Sequence, residues 1–146
     1  MSSNVNSILI IGLGMIGSSI ALASKSKGIT VYGFDIDNIV VNDAIKKDII
    51  DRDAGTIEEI SSKESAKNID LIILAVPPKQ TLDVLNKLDA LWNTSITITD
   101  TASVKNHIKI TDVSNIVLSH PIAGSDKSGI FAADENLFIN LSLIHI

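Results

Sequence analysis

The hydrophobic residues of this chain fall into short runs, each followed by a longer segment in which apolar and polar residues mix at helical spacing. A short apolar run between turn residues is typical of a buried strand, and 3.6-residue spacing is typical of an amphipathic helix. We therefore predict buried strands at 7–11, 30–34, 71–76, 96–99 and 116–119. Helices are predicted at 15–27, 39–47 and 79–91. A further short strand is expected near 49–56, where the pattern is weak.

Strands that alternate with helices indicate the α/β class, with right-handed βαβ units and a doubly wound parallel sheet. Gly28 lies where the first helix should end. The prolines at 77 and 78 should stop the preceding strand sharply. After residue 120 we expect one more helix and one more buried strand.

The last six residues, 141–146, do not follow this pattern. Their sequence, LSLIHI, is the translation in one reading frame of the mosaic end used in transposon-based sequencing adapters. A genuine apolar strand is the alternative, and composition alone favours it. We interpret the segment as adapter-derived, because all six residues match and because the chain stops where a further helix and strand are expected. The chain then divides into a domain at 1–140 and a tail at 141–146.

The composition is that of a globular domain, with 45% hydrophobic and 20% charged residues among 146. A net charge of -5 argues against nucleic acid or an anionic membrane surface as a partner. The apolar stretch at 8–23 is too short to span a bilayer and is interrupted by glycines. The lack of cysteine excludes disulfides and thiolate metal sites and fits a cytoplasmic location.

Three glycines, Gly12, Gly14 and Gly17, follow the first predicted strand and open the first helix. This G-x-G-x-x-G turn is the dinucleotide-binding fingerprint of the Rossmann fold. The glycines permit the tight turn, the approach of backbone N–H groups to a pyrophosphate, and close packing of helix on strand. The helix N-terminus, which begins with Met15 and Ile16, favours the anion. An ordinary glycine turn is the alternative, which the surrounding strand and helix disfavour.

An acidic residue, Asp35, ends the second predicted strand at about the 20-residue spacing expected for the ribose-binding acid. A carboxylate there accepts hydrogen bonds from the ribose hydroxyls and repels a 2′-phosphate, so we predict NAD rather than NADP. FAD-binding domains share the glycine fingerprint, so this motif alone does not identify a nicotinamide cofactor. Val76 and Pro77 lie at the carboxyl end of the next strand, either as the edge of the cofactor crevice or as a simple strand terminator.

Two further segments carry a family resemblance. Residues 100–105 (DTASVK) resemble the Asp-x-Gly-Ser-Val-Lys segment of prephenate and arogenate dehydrogenases. Residues 120–129 (HPIAGSDKSG) are similar to their His-Pro-x-Ala-Gly-x-x-x-Ser-Gly segment. With the glycine turn, the segments follow the family's order, so the resemblance covers the chain up to residue 140. Ala102 stands where the family commonly has glycine. Alanine is unfavourable there only if the residue needs a positive φ, so this departure affects only the expected backbone geometry at that residue.

The resemblance implies NAD-dependent oxidative decarboxylation of prephenate to 4-hydroxyphenylpyruvate in tyrosine biosynthesis. His120 takes the position of the family's catalytic histidine. Ser103 takes that of a serine that hydrogen-bonds near this histidine and the substrate hydroxyl. The hydroxyl must lose its proton as its carbon gives up a hydride, and an imidazole, with an ordinary pKa of about 6.5, can accept it. A packed histidine that closes a strand is the alternative interpretation of His120.

The resemblance also implies a mostly helical C-terminal domain that supplies a substrate-binding arginine and most of a homodimer interface. This chain has a single arginine, Arg52, far along the sequence from His120. We therefore expect a C-terminally truncated protein that turns over no substrate alone. Arogenate in place of prephenate, a different Rossmann dehydrogenase such as a hydroxyacid or imino-acid reductase, and a non-catalytic NAD-binding module are the alternatives.

The remaining polar residues carry weaker expectations. His107 is expected at the surface and His145 in the tail, and the three histidines lack metal-ligand spacing, so no metal is predicted. Ser125, Lys127 and Ser128 are interpreted as the cap and first turn of a helix in preference to substrate contacts.

Overall fold

A computed structural model describes residues 4–103, 110–122, 127–140 and 143–145 of the chain. The strands are β1 (Ser7–Ile11), β2 (Thr30–Phe34), β3 (Arg52–Asp53), β4 (Leu71–Leu74), β5 (Thr97–Asp100), β6 (Ile116–Val117), β7 (Ser119–Pro121) and β8 (Leu143–His145). The α-helices are α1 (Met15–Ser26), α2 (Asn38–Lys46), α3 (Ile57–Ile60), α4 (Lys63–Ala66) and α5 (Pro78–Lys87). Asp89–Leu91 and Ile130–Ala132 form single turns of 3-10 helix. Within these residues, every helix is too short or too polar to cross a membrane.

Six parallel strands form the main sheet in the order β3-β2-β1-β4-β5-β6. The chain runs outward from β1 to β3, then returns to β4 beside β1 and runs outward again to β6. Connections therefore leave β1 and β4 in opposite directions, and a crevice opens between them at the carboxyl ends of the strands. The predicted doubly wound α/β fold is confirmed.

Successive side chains of β1 point to opposite faces of the sheet and enter two separate cores. Leu9 and Ile11 pack in one cluster with Leu85 and Leu88, from α5 and the residue after it. Ile8 and Ile10 pack in another cluster, which also contains residues of α1 and α2. The central strand therefore has a helical layer on each face, and both of its faces are apolar.

The predicted elements are correct near the start of the chain and less so near its end. β1 and β2 have the predicted bounds, whereas β4 ends at Leu74 because the chain must turn into α5. The helices α3 and α4 were not predicted, since four residues are too few to show a period. The predicted strand at 116–119 is wrong as one unit, because it is divided between β6 and β7 in different sheets. In place of the expected helix after residue 120, the described residues form a 3-10 turn at Ile130–Ala132.

An ion pair ties the end of α1 to the loop before β3. Lys25 lies 3.1 Å from Asp51 Oδ1, and Asp51 Oδ2 accepts the Val31 N–H at 2.8 Å. Partial burial alone would raise the pKa of Asp51, but these hydrogen bonds and the charge of Lys25 hold that pKa below its usual value. The ionised carboxylate therefore stabilises the packing of α1 beside β2, and this contribution is lost as the pH falls through the lowered pKa.

The last described strand, β8, pairs antiparallel with β7 in a separate two-stranded sheet. His120 lies opposite Ile144 in this pairing. The further strand expected after residue 120 therefore does not join the parallel sheet in the part of the chain that the structure describes. The adapter origin of residues 141–146 stays a prediction.

Deletion of residues 141–146 is expected to change the free energy of unfolding by less than about 0.5 kcal/mol, as for changes away from core features. A two-stranded pairing of three residues adds little stability by itself. Urea denaturation of the shortened chain, and of a control chain with six Gly and Ser residues in place of the tail, measures the change. A loss of several kcal/mol in both chains would identify the tail as a structural strand and contradict the adapter interpretation.

Candidate functional site

The glycine turn after β1 is closed by backbone contacts that leave no room for side chains. Gly12 has a φ of +99°, and a Cβ there would lie 2.5 Å from the Ala75 carbonyl oxygen. A Cβ on Gly17 would lie 1.9 Å from the Gly12 carbonyl oxygen. The Gly12 N–H donates to Phe34 O at 2.8 Å, which joins the turn to the end of β2. The turn therefore brings β1, β2, β4 and α1 together at one point.

Gly14 faces open space, in contrast to its two neighbours in the motif. A Cβ on Gly14 would find no atom within 4 Å. Gly14 immediately precedes α1, whose first turn has no acidic residue, and no side chain caps it. The helix thus presents unpaired N–H groups and the positive end of its dipole. An anion such as a pyrophosphate fits this position.

The carboxylate of Asp35 is held in a fixed orientation at the end of β2. Its Oδ2 accepts the N–H of Leu13 at 2.9 Å, and its Oδ1 accepts the N–H of Asp37 at 3.0 Å. An ionised carboxylate has about four acceptor positions, so it can accept further hydrogen bonds from a ligand. Its link to Leu13 places this negative charge directly beside the glycine turn.

A cleft of about 1040 Å³ runs along the carboxyl ends of the strands. Nine of the residues proposed from the sequence line it: Gly12, Gly14, Met15, Ile16, Asp35, Val76, Pro77, Ser103 and His120. Gly17 does not line the cleft and instead packs below it against the turn. The structure therefore brings the proposed cofactor and catalytic residues to a single cavity.

His120 is half-buried in β7 and is oriented by a backbone contact. Its Nδ1 lies 3.3 Å from the carbonyl oxygen of Thr101. A carbonyl can only accept, so this long hydrogen bond requires the hydrogen on Nδ1. In the neutral ring, Nε2 then carries the lone pair and is the nitrogen that can take up a proton. Ser103 lies in the loop that follows Thr101 and is exposed at the same cleft.

Sequence reasoning missed the wall of the cleft formed by α3 and α5. Residues 55–58, at the start of α3, line the cleft, and so do Gln80, Val84 and Lys87 of α5. Both groups had a signal in the sequence. Thr56 and Glu59 form a capping box, which marks a helix that begins just after a strand. The positions 80, 84 and 87 share one face of α5, because they are spaced four and three residues apart.

The sequence interpretation of Lys127 and Ser128 as a helix cap is wrong. The 3-10 turn begins after Gly129 and has no side-chain cap, whereas Lys127 and Ser128 line the cleft with His120. Gly129, which has a φ of +81°, also lines the cleft. Ser125 and His107 lie outside the described residues. Both cleft residues are therefore candidates for substrate contact.

The single arginine lies far from the end of the cleft that His120 lines. Arg52 is in β3, at one edge of the sheet, and is exposed. His120 follows β6, which forms the opposite edge. Arg52 is also absent from the residues that line the cleft. Within the described residues, Lys87 and Lys127 are the cations that the cleft walls present.

Comparison with known proteins identifies relatives of this chain. The family described as "Prephenate dehydrogenase, nucleotide-binding domain" matches residues 20–144. A prephenate dehydrogenase of Lactococcus lactis subsp. cremoris is 40% identical over 91% of this chain and 38% of its own length. A prephenate dehydrogenase of Bacillus subtilis is 38% identical over 96% of this chain and 39% of its own length. The chain thus spans about two fifths of these curated relatives.

A solved structure shares both the fold and part of the sequence. It is the prephenate dehydrogenase of A. aeolicus in complex with hydroxyphenyl propionate and NAD+. The match has a TM-score of 0.83 at 26% identity, and it covers 99% of this chain and 51% of the other. The parallel sheet and its flanking helices are therefore those of the nucleotide-binding half of that enzyme.

Alanine substitution should separate the roles of the motif glycines. Gly17→Ala is expected to lower the free energy of unfolding by about 1–3 kcal/mol, because the new Cβ overlaps the Gly12 carbonyl. Gly14→Ala is the matched control and should cost less than about 1 kcal/mol, the scale of a helix N-cap change. Chemical denaturation of both variants measures the difference. Equal losses would show that the close contact at Gly17 does not support the turn.

Proposed function

The chain belongs to the family of prephenate dehydrogenase nucleotide-binding domains, and we propose that it binds NAD for the oxidation of prephenate. The reaction would be the oxidative decarboxylation of prephenate to 4-hydroxyphenylpyruvate in tyrosine biosynthesis. The observation that carries the proposal is that one cleft is lined by the glycine turn, Asp35 and His120. The cleft can therefore hold a dinucleotide and present its reactive end to a base.

The residues of the glycine turn fit NAD in shape and charge. The open space above Gly14 admits a pyrophosphate to the start of α1. The oriented carboxylate of Asp35 can accept hydrogen bonds from the two hydroxyls of the adenosine ribose. A 2′-phosphate at that position would meet a negative charge. These features support NAD over NADP.

The proposed chemistry needs a hydride acceptor and a base. Bound NAD supplies the acceptor for the hydride that leaves the hydroxyl-bearing carbon of the ring. His120 would take the hydroxyl proton at Nε2, because Nδ1 is engaged with Thr101. Ser103 would hydrogen-bond the same hydroxyl and orient it. Carbon dioxide then leaves and the ring becomes aromatic, so the protein's task is mainly orientation.

The substrate's two carboxylates require cations near His120. Lys127 lines the cleft and can supply one, whereas Arg52 lies at the other edge of the sheet. We propose that an arginine of a helical C-terminal domain completes the site, as the family resemblance implies. The greater length of the relatives supports this. On the basis of the same resemblance, we propose that the protein with this second domain forms a homodimer and acts in the cytoplasm.

The first test of the function is cofactor choice in this chain. Calorimetric titration is expected to give a Kd for NAD at least about tenfold below that for NADP, the effect of one hydrogen bond to a charged group. The Asp35→Asn substitution should reduce the ratio between the Kd for NADP and the Kd for NAD. Asp37→Asn is the matched control, since it removes the same charge nearby and Asn caps α2 equally well. Tighter binding of NADP by the unmodified chain would contradict the role of Asp35.

The second test concerns catalysis in the protein extended to the length of its relatives. His120→Asn is expected to lower kcat for prephenate-dependent NADH formation by about 10²–10⁴-fold, the usual effect of removing a general base. The Kd for NAD should stay unchanged, because the proposed cofactor contacts are those of other residues. A near-normal kcat in this variant would contradict the catalytic role of His120 and support the alternative interpretation, a packed histidine that closes a strand. Turnover of arogenate but not prephenate would reassign the substrate.

A further inference from the structure

Asp100, the last residue of β5, places a buried carboxylate between the two segments that hold the proposed catalytic residues. It is 1% exposed. Its Oδ2 accepts the N–H of Ala102 at 3.2 Å, and its Oδ1 accepts the N–H of Ser119 at 3.2 Å. Ala102 directly precedes Ser103, and Ser119 directly precedes His120. One side chain therefore fixes the backbone next to both catalytic candidates.

Two hydroxyl groups reinforce this link. Ser119 Oγ donates to the carbonyl oxygen of Asp100 at 2.7 Å and lies 2.9 Å from Thr99 Oγ1. A hydroxyl has one hydrogen, so the Thr99 hydroxyl is the donor in the second bond. The side chains of Thr99 and Ser119 thus connect β5 to β7 in the same place as the carboxylate. We call Thr99, Asp100 and Ser119 the strand clamp.

The strand clamp replaces a backbone ladder at this point. In the described residues the parallel sheet ends at β6, and β7 belongs to the second sheet. Ladder hydrogen bonds of the parallel sheet therefore do not hold β7 beside β5. Besides its continuation from β6 through Leu118, β7 is joined to β5 by the hydrogen bonds of the clamp, which lie directly beside the contact of His120 with the Thr101 carbonyl.

We infer that Asp100 is a positioning residue that holds His120 against the Thr101 carbonyl, so that Nδ1 carries the hydrogen and Nε2 accepts the proton. Its importance for catalysis rests on the proposed function, whereas its effect on the ring does not. A carboxylate suits the position because both of its named partners are N–H donors.

Asp100→Asn in this chain tests the inference, because an amide can accept from one of the two N–H groups but turns a donor toward the other. Nitrogen NMR of ¹⁵N-labelled histidine reports which ring nitrogen carries the hydrogen in the neutral form, and His120→Asn assigns the signal among the three histidines. We expect mainly the Nδ1–H form in the unmodified chain. The tautomer ratio should change about fivefold in the variant, the effect of one net hydrogen bond.

Asp70→Asn is the matched control at the opposite end of the sheet. Asp70 Oδ2 also accepts two backbone N–H groups, from Asn6 at 2.8 Å and Ser7 at 3.0 Å. Both N–H groups meet one oxygen, which asparagine retains, so this replacement removes a carboxylate far from His120 and should leave the tautomer ratio of His120 unchanged. An unchanged ratio in Asp100→Asn, or equal shifts in both variants, would overturn the inference.

Ser119→Ala keeps the inference testable if Asp100→Asn does not fold. It removes the hydroxyl bonds but keeps the backbone N–H that Asp100 accepts, so the ratio should shift in the same direction by a smaller factor. No shift in that variant would overturn the inference. The NMR measurement needs neither substrate nor cofactor. Failure to oxidise prephenate would therefore contradict the proposed function alone, and an unaltered tautomer ratio would contradict the positioning role alone.

Discussion

The contact of the Gly12 carbonyl with Gly17 is the constraint on which the rest of the structure depends. A Cβ on Gly17 would lie 1.9 Å from that oxygen, so α1 can start where it does only if no side chain intervenes. The same turn approaches the Ala75 carbonyl, at the end of β4. The floor of the cleft is therefore backbone, and the start of α1 lies beside the boundary between β1 and β4. This boundary is also where the chain reverses its direction across the sheet.

The two ends of the cleft are built by different physical means. At the cofactor end, backbone geometry positions the anion site, and Asp35 is itself held by two backbone N–H groups. At the end lined by His120, β7 lies outside the parallel ladder, and the polar side chains of Thr99, Asp100 and Ser119 attach it to β5. A side-chain attachment is more sensitive to single substitutions than a ladder of many bonds. Mutations near Asp100 should therefore alter the position of His120 before they alter cofactor binding.

The sequence predicted best the features that depend on local pattern. β1 and β2 are continuous apolar runs that are bounded by turn residues, so their ends could be read directly. The family resemblance of residues 100–105 and 120–129 is likewise confirmed by the comparisons. The division of 116–119 between two sheets could not be predicted, because periodicity reports burial and not the partner strand. The spacing of Gln80 and Val84 marks one face of α5, but the helical period does not reveal that this face borders the cleft.

Net charge is a poor guide to what this cleft binds. The chain carries a net charge of -5, and yet the proposed cofactor and substrate are both anions. The attraction must therefore be local. Unpaired N–H groups at the start of α1 supply it for a pyrophosphate without any cationic side chain. A carboxylate substrate near His120 needs a side-chain cation, and Lys127 is the one that the described cleft wall offers nearby. Cofactor affinity should thus depend mainly on backbone geometry, whereas substrate affinity should depend on salt and on cationic side chains.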